Sequence, residues 1–103
     1  MKICHWNTQV DGPLTETALI DKLERMDYRC TRYTYPRGTL FADQQHNLDK
    51  IDAVLKGRMK IGISGENVIL NPGDYVCIPK GTSYSVEVIG DESVVSIDAI
   101  KAG

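Results

Sequence analysis

GTLFADQQHNLDKIDAVLKG, residues 38–57, and GDYVCIPKGTSYSVEV, residues 73–88, decide the fold. Each begins at a glycine and alternates short apolar runs with turn residues, the punctuation of a small antiparallel β-structure rather than of helices. Within the second stretch, Tyr84, Val86 and Val88 share one face and Ser83, Ser85 and Glu87 the other, as a half-buried strand requires. Lys50, Asp52 and Val54 fall on one face of the first stretch, and Ile51, Ala53 and Leu55 on the opposite one. An outward face that apolar must be covered by a helix or by a second copy of the chain.

Working outward, Ser64-Gly65-Glu66-Asn67 reads as a hairpin turn between an RMKIGI strand and a returning strand at 68–70. Asn71-Pro72-Gly73-Asp74 and Pro79-Lys80-Gly81-Thr82 carry glycine at the third turn position, where type II geometry needs positive φ. Strands are expected at 28–35 and 75–78, with 94–100 closing the barrel. Upstream, Thr15 is the expected N-cap of a helix through Met26, with Leu19, Leu23 and Met26 on one stripe. Residues 1–13 read as an arm or edge strand anchored by Trp6. The expected organisation is one domain over 1–103, with an arm and helix at 1–27 and a barrel at 28–103.

The two stretches resemble the paired motifs of the cupin family. Glycines at 38, 57, 73 and 81 and the proline at 79 stand at the family's spacing. The resemblance implies an all-β fold, an antiparallel double-stranded β-helix or jelly-roll barrel of the RmlC-like kind with one short N-terminal helix. It also implies four metal-ligand positions in the barrel mouth, normally three histidines and a glutamate. Here those positions hold Gln44, His46, Lys50 and Tyr84. Only His46 matches.

Lysine at a ligand position is worse than an omission, because an ammonium repels a cation and coordinates only once it has lost a proton, near pH 10.4 in water. No metal or other cofactor is therefore expected. The alternative is a divalent transition metal on His46 and Gln44, helped by a nearby acid among Asp43, Asp49 and Asp52. Without metal, Gln44, His46, Lys50, Asp52 and Tyr84 form a polar cup over Val54, Val86 and Val88, suited to a small polar or anionic molecule. Lys50 and His46 are the groups for a carboxylate or phosphate, unless Lys50 pairs with Asp52 instead. His46, Tyr84 and Lys50 are the candidates for acid–base chemistry in a cupin enzyme of isomerase, epimerase or dioxygenase type. A third reading is a non-catalytic barrel serving dimerisation or partner binding.

Composition narrows the classes. Twelve basic and 14 acidic residues give a net charge of -2 with no basic run, so nucleic acid is not an expected partner. No apolar run approaches the roughly 20 residues of a membrane span. Three widely spaced cysteines, Cys4, Cys30 and Cys77, read as reduced thiols of a cytoplasmic protein, with Cys77 expected to be buried and inert. One short helix is too little to cover the outer face of a barrel, so a homodimer is expected.

Overall fold

A computed structural model describes residues 1–102, arranged as two antiparallel sheets packed face to face. The strands are β1 (Ile3–Cys4), β2 (Tyr28–Tyr35), β3 (Leu40–Gln44), β4 (Lys50–Lys56), β5 (Arg58–Ile63), β6 (Glu66–Leu70), β7 (Tyr75–Ile78), β8 (Tyr84–Ile89) and β9 (Val94–Lys101). One sheet runs β1-β7-β4-β9-β2 and the other β3-β8-β5-β6, so each long motif contributes strands to both. This is the jelly-roll barrel that the family resemblance implies.

Turn chemistry sets the corners. Gly73 has φ +91°, and the Asp74 amide donates to the Asn71 carbonyl at 2.8 Å, closing the expected turn. Gly57 joins β4 to β5 at φ +84°, and a Cβ there would meet the Ser93 carbonyl oxygen at 2.6 Å. Only glycine fits that approach. The β5–β6 hairpin is tighter than expected: Ser64 and Gly65 both take positive φ, a two-residue turn, so β6 starts at Glu66 and not at Val68.

The strand faces divide as alternation predicts. Val54, Met59, Ile61, Leu70, Val76, Val86, Val88 and Val94 are buried between the sheets. On the opposite side of the five-stranded sheet, Ile51, Ala53, Tyr75, Ile97 and Ala99 form a second apolar layer. Helix α2 (Glu16–Arg25) covers it with Leu19 and Leu23, both fully buried. Thr15 caps α2 as expected, its Oγ1 accepting from the Ala18 amide at 3.1 Å. The face that motivated a second copy is therefore covered within the chain, because Leu19 and Leu23 of α2, with Trp6, pack in one apolar cluster with it.

The arm differs from expectation in one element. After the edge strand β1, residues Thr8–Asp11 form a single helical turn, α1, so the described residues hold two short helices where one was expected. Asn7 explains it: its side chain accepts from the Gln9 amide at 3.0 Å, a cap with no apolar periodicity to announce it. Trp6 is an anchor as expected, donating from Nε1 to the Gly12 carbonyl at 2.8 Å and from its backbone to Gly73 at 3.0 Å.

Candidate functional site

A cavity of about 320 Å³ opens at the end of the barrel, lined by Tyr33, Tyr35, Phe41, Gln44, His46, Lys50, Asp52, Met59, Tyr84, Val86, Ser96 and Asp98. All five residues expected to form the cup line it. Their strands explain why. Lys50 and Asp52 point inward from β4, Tyr84 from β8, and Gln44 sits opposite Tyr84 at the end of β3. His46 follows in the loop to β4, where its carbonyl accepts from the Gly81 amide at 2.8 Å and Gln45 Nε2 donates to the Gly81 carbonyl at 2.6 Å. The Pro79–Thr82 turn thus fixes the His46 loop against the mouth.

Lys50 is the centre of the site. Its Nζ lies 2.8 Å from Asp52 Oδ1 and 2.6 Å from Asp98 Oδ1, and donates to Tyr84 Oη at 2.9 Å. It also stands 5.0 Å from the Tyr84 ring centroid, and the His46 ring stacks with the Tyr84 ring at 5.9 Å and 27°. The Asp98 contact is a close ion pair off hydrogen-bond alignment, which leaves that buried Oδ1 with no formal hydrogen bond. The alternative in which Lys50 pairs with Asp52 is the one observed, with Asp98 as a second acid.

This grouping reshapes the protonation of Lys50, Asp52 and Tyr84. Burial alone would lower the Lys50 ammonium, but the charges of Asp52 and Asp98 outweigh it and hold the proton above the ordinary lysine range. Asp52 is pushed up to about 7, first by burial and then by Asp98, with Lys50 opposing. Burial also raises Tyr84, although Lys50 pulls the other way. Tyr35 is pushed up to about 12 by burial and by the neighbouring carboxylates. With two carboxylates to one ammonium, the buried cluster holds an extra proton readily near neutral pH.

The donor set does not fit a divalent metal. The carboxylates that would be its ligands face the Lys50 ammonium, and His46 is the sole imidazole in the cavity. Among the described residues, no group of three or more His, Cys, Asp or Glu side chains is disposed to hold one. The acids weighed for a metal route separate: Asp52 is in the cluster, whereas Asp49 Oδ1 accepts from the Lys80 amide at 2.8 Å and Asp43 lies outside the cavity lining.

Sequence reasoning missed the second acid and the aromatic wall. Asp98 shares a strand face with Val94 and Ser96, so alternation turns it inward, but its place directly opposite Asp52 follows from the β4–β9 register, which no single-strand pattern contains. Tyr33 and Tyr35 stack at 5.8 Å and 11°, and Phe41 meets Tyr35 edge-on at 5.3 Å. The threonine- and tyrosine-rich run at 28–35 marked a strand, and its odd-numbered aromatics were the available signal. Cys77 departs from expectation too. It is exposed on the outer face of β7, although partial desolvation still raises its thiol pKa.

The sequence profile of the cupin domain family matches residues 31–100. Among solved structures, the chain is similar to the EutQ protein of Clostridium difficile, at 28% identity and TM-score 0.62, over 78% of this chain and 60% of that one. The cupin domain of Cnp3 from Schizosaccharomyces pombe matches at 15% identity and TM-score 0.67, over 75% and 57%. The cupin domain of an XRE family transcriptional regulator from Enterobacter cloacae matches at 17% and TM-score 0.66, over 78% and 86%. The chain thus spans about three fifths of the EutQ and Cnp3 chains. No curated protein matches the sequence significantly.

Proposed function

Since the chain belongs to the cupin family, we propose that it is a small cupin that binds a small polar molecule in the barrel mouth without a resident metal. The observation that carries this reading is the open cavity itself. Tyr84 and Lys50 do not plug the mouth, and about 320 Å³ remains beside them, at the low end of the range for small-molecule sites. Polar groups of Gln44, His46, Tyr84 and Asp98 converge there above Met59 and Val86. The similarity to a cupin domain within a transcriptional regulator supports a sensing role, in which ligand occupancy is the output.

Acid–base catalysis is the second reading. It draws on Asp52, whose raised pKa of about 7 is the kind of perturbation found where proton transfer is needed, with His46 and Tyr84 within the same cavity. Binding and catalysis differ in their product: a binder returns its ligand unchanged. We also propose a homodimer, now resting on exposed Leu40, Leu48 and Ile69 instead of on the layer that α2 covers. A cytoplasmic location is proposed from the three unpaired cysteines. No helix among the described residues is long and apolar enough to cross a membrane.

Native mass spectrometry of protein purified gently from cells tests the reading. A small-molecule adduct on the wild type that is absent from a Gln44→Trp variant, where indole fills the mouth, is the expected result. A wild type free of adduct, with cavity resonances unmoved by any member of a metabolite fragment library, would refute it.

A further inference from the structure

The cavity holds one cation and two carboxylates, and that imbalance bears on what enters it. Lys50 is the only basic group lining the cavity apart from His46, and its ammonium already contacts both acids and Tyr84. An anionic ligand would have to compete with two tethered carboxylates at 2.8 and 2.6 Å and add a third negative charge to the cluster. A cation meets the opposite situation. Asp98 is the acid within reach, its side chain 22% exposed against 5% for Asp52. On the neighbouring strand β2 stand Tyr33 and Tyr35, with Phe41 edge-on to Tyr35, and Tyr33 is 43% and Phe41 37% exposed although both are large apolar side chains lining the cavity. Aromatic faces beside a carboxylate are a setting for organic cations, which gain ring contact and charge pairing together.

Resting on the reading of the mouth as a small-molecule site, we propose that its ligand class is a small organic ammonium ion with an apolar or aromatic body. Asp98 pairs the ammonium, and Tyr33, Tyr35 and Phe41 cover the body. The buried Lys50 sets the limit on charge: two carboxylates and one lysine leave room for one further positive charge. Below about pH 7 that place is filled in the free protein by the proton that burial and Asp98 favour on Asp52, and an entering ammonium releases it to solvent.

The test uses three probes of one shape and different charge: benzylammonium, benzyl alcohol and benzoate. Each is titrated into the full chain at pH 7.5 while tyrosine and phenylalanine ring signals are followed by NMR. Saturable shifts of Tyr33, Tyr35 and Phe41 with benzylammonium bound about tenfold tighter than benzyl alcohol, and benzoate weakest, are expected. Asp98→Asn should bring amine and alcohol to within about twofold of each other. If that variant does not fold, Tyr33→Leu should weaken the amine several-fold more than benzoate. Benzoate or benzyl alcohol binding as tightly as the amine overturns the ammonium assignment and leaves the pocket standing. Ring signals that move with none of the three overturn the pocket reading and the assignment together.

Discussion

Replacing Lys50 by methionine leaves the volume of the barrel mouth nearly unchanged and removes the charge on which two acids depend. Asp52 is almost wholly buried and Asp98 mostly so, and neither has another basic side chain among its ion pairs. Stripping one member from a buried ion cluster costs about 3–5 kcal/mol, because the remaining charges stay desolvated and here also repel each other. For a chain of this length the unfolding entropy near the midpoint is about 0.2 kcal/mol per kelvin, so Lys50→Met should melt about 15–25 °C below the wild type at pH 7. Circular dichroism melts from pH 5 to pH 8 measure it. The deficit should shrink toward pH 5, because protonating the carboxyls removes the stranded charge, and the double variant Lys50→Met/Asp52→Asn should recover most of the loss. A single variant melting within about 3 °C of the wild type at pH 7, or a deficit that does not respond to acid, would refute the placement of Lys50 between the two acids.

Three further outcomes follow from the same structure. Asp52, raised to about 7, stabilises the fold most fully below its ordinary value of 3.8 and loses that contribution as pH climbs to about 7; raised Lys50 keeps its proton throughout that window. The difference in unfolding free energy between wild type and Asp52→Asn should therefore fall across pH 4–7 by up to about 1.4 kcal/mol per pH unit, read by urea titration, and a flat difference contradicts it. Gly57→Ala should cost several kcal/mol or prevent folding, since its Cβ would lie 2.6 Å from the Ser93 carbonyl oxygen at φ +84°; a variant as stable as the wild type would show that the β4–β5 corner is not so tight. Gln44→His, Lys50→Glu and Tyr84→His together should confer zinc, manganese or nickel binding by calorimetry, because the backbone already aims these positions into the mouth. A folded triple variant with no metal affinity would place the ligand alignment in error.

The backbone was more legible than the site, and the residues show why. Glycine and proline act locally: Gly57, Gly73 and Gly81 take the positive φ that their turns require, and no distant partner is needed to infer it. Alternation was equally reliable within a strand, sorting Lys50, Asp52 and Val54 inward and Ile51 and Ala53 outward. What covers the outward face was not legible, because α2 could have packed anywhere; the helix stripe of Leu19 and Leu23 names a face but not its destination. Asp98 was missed for a related reason. Its meaning comes from lying opposite Asp52 across two strands 46 residues apart in the chain, and only sheet register brings them together. The Lys50 substitution then changes meaning. Read alone it deletes a metal ligand; beside Asp52 and Asp98 it supplies the cation that the acids need.

The central claim is that this ammonium occupies the charge centre of the mouth in place of a metal ion. Elemental analysis of protein purified without metal resin and dialysed against buffer tests it most directly. Manganese, iron, nickel and zinc far below stoichiometry is the predicted result. One equivalent of any of them that survives dialysis and is lost on His46→Ala would contradict it.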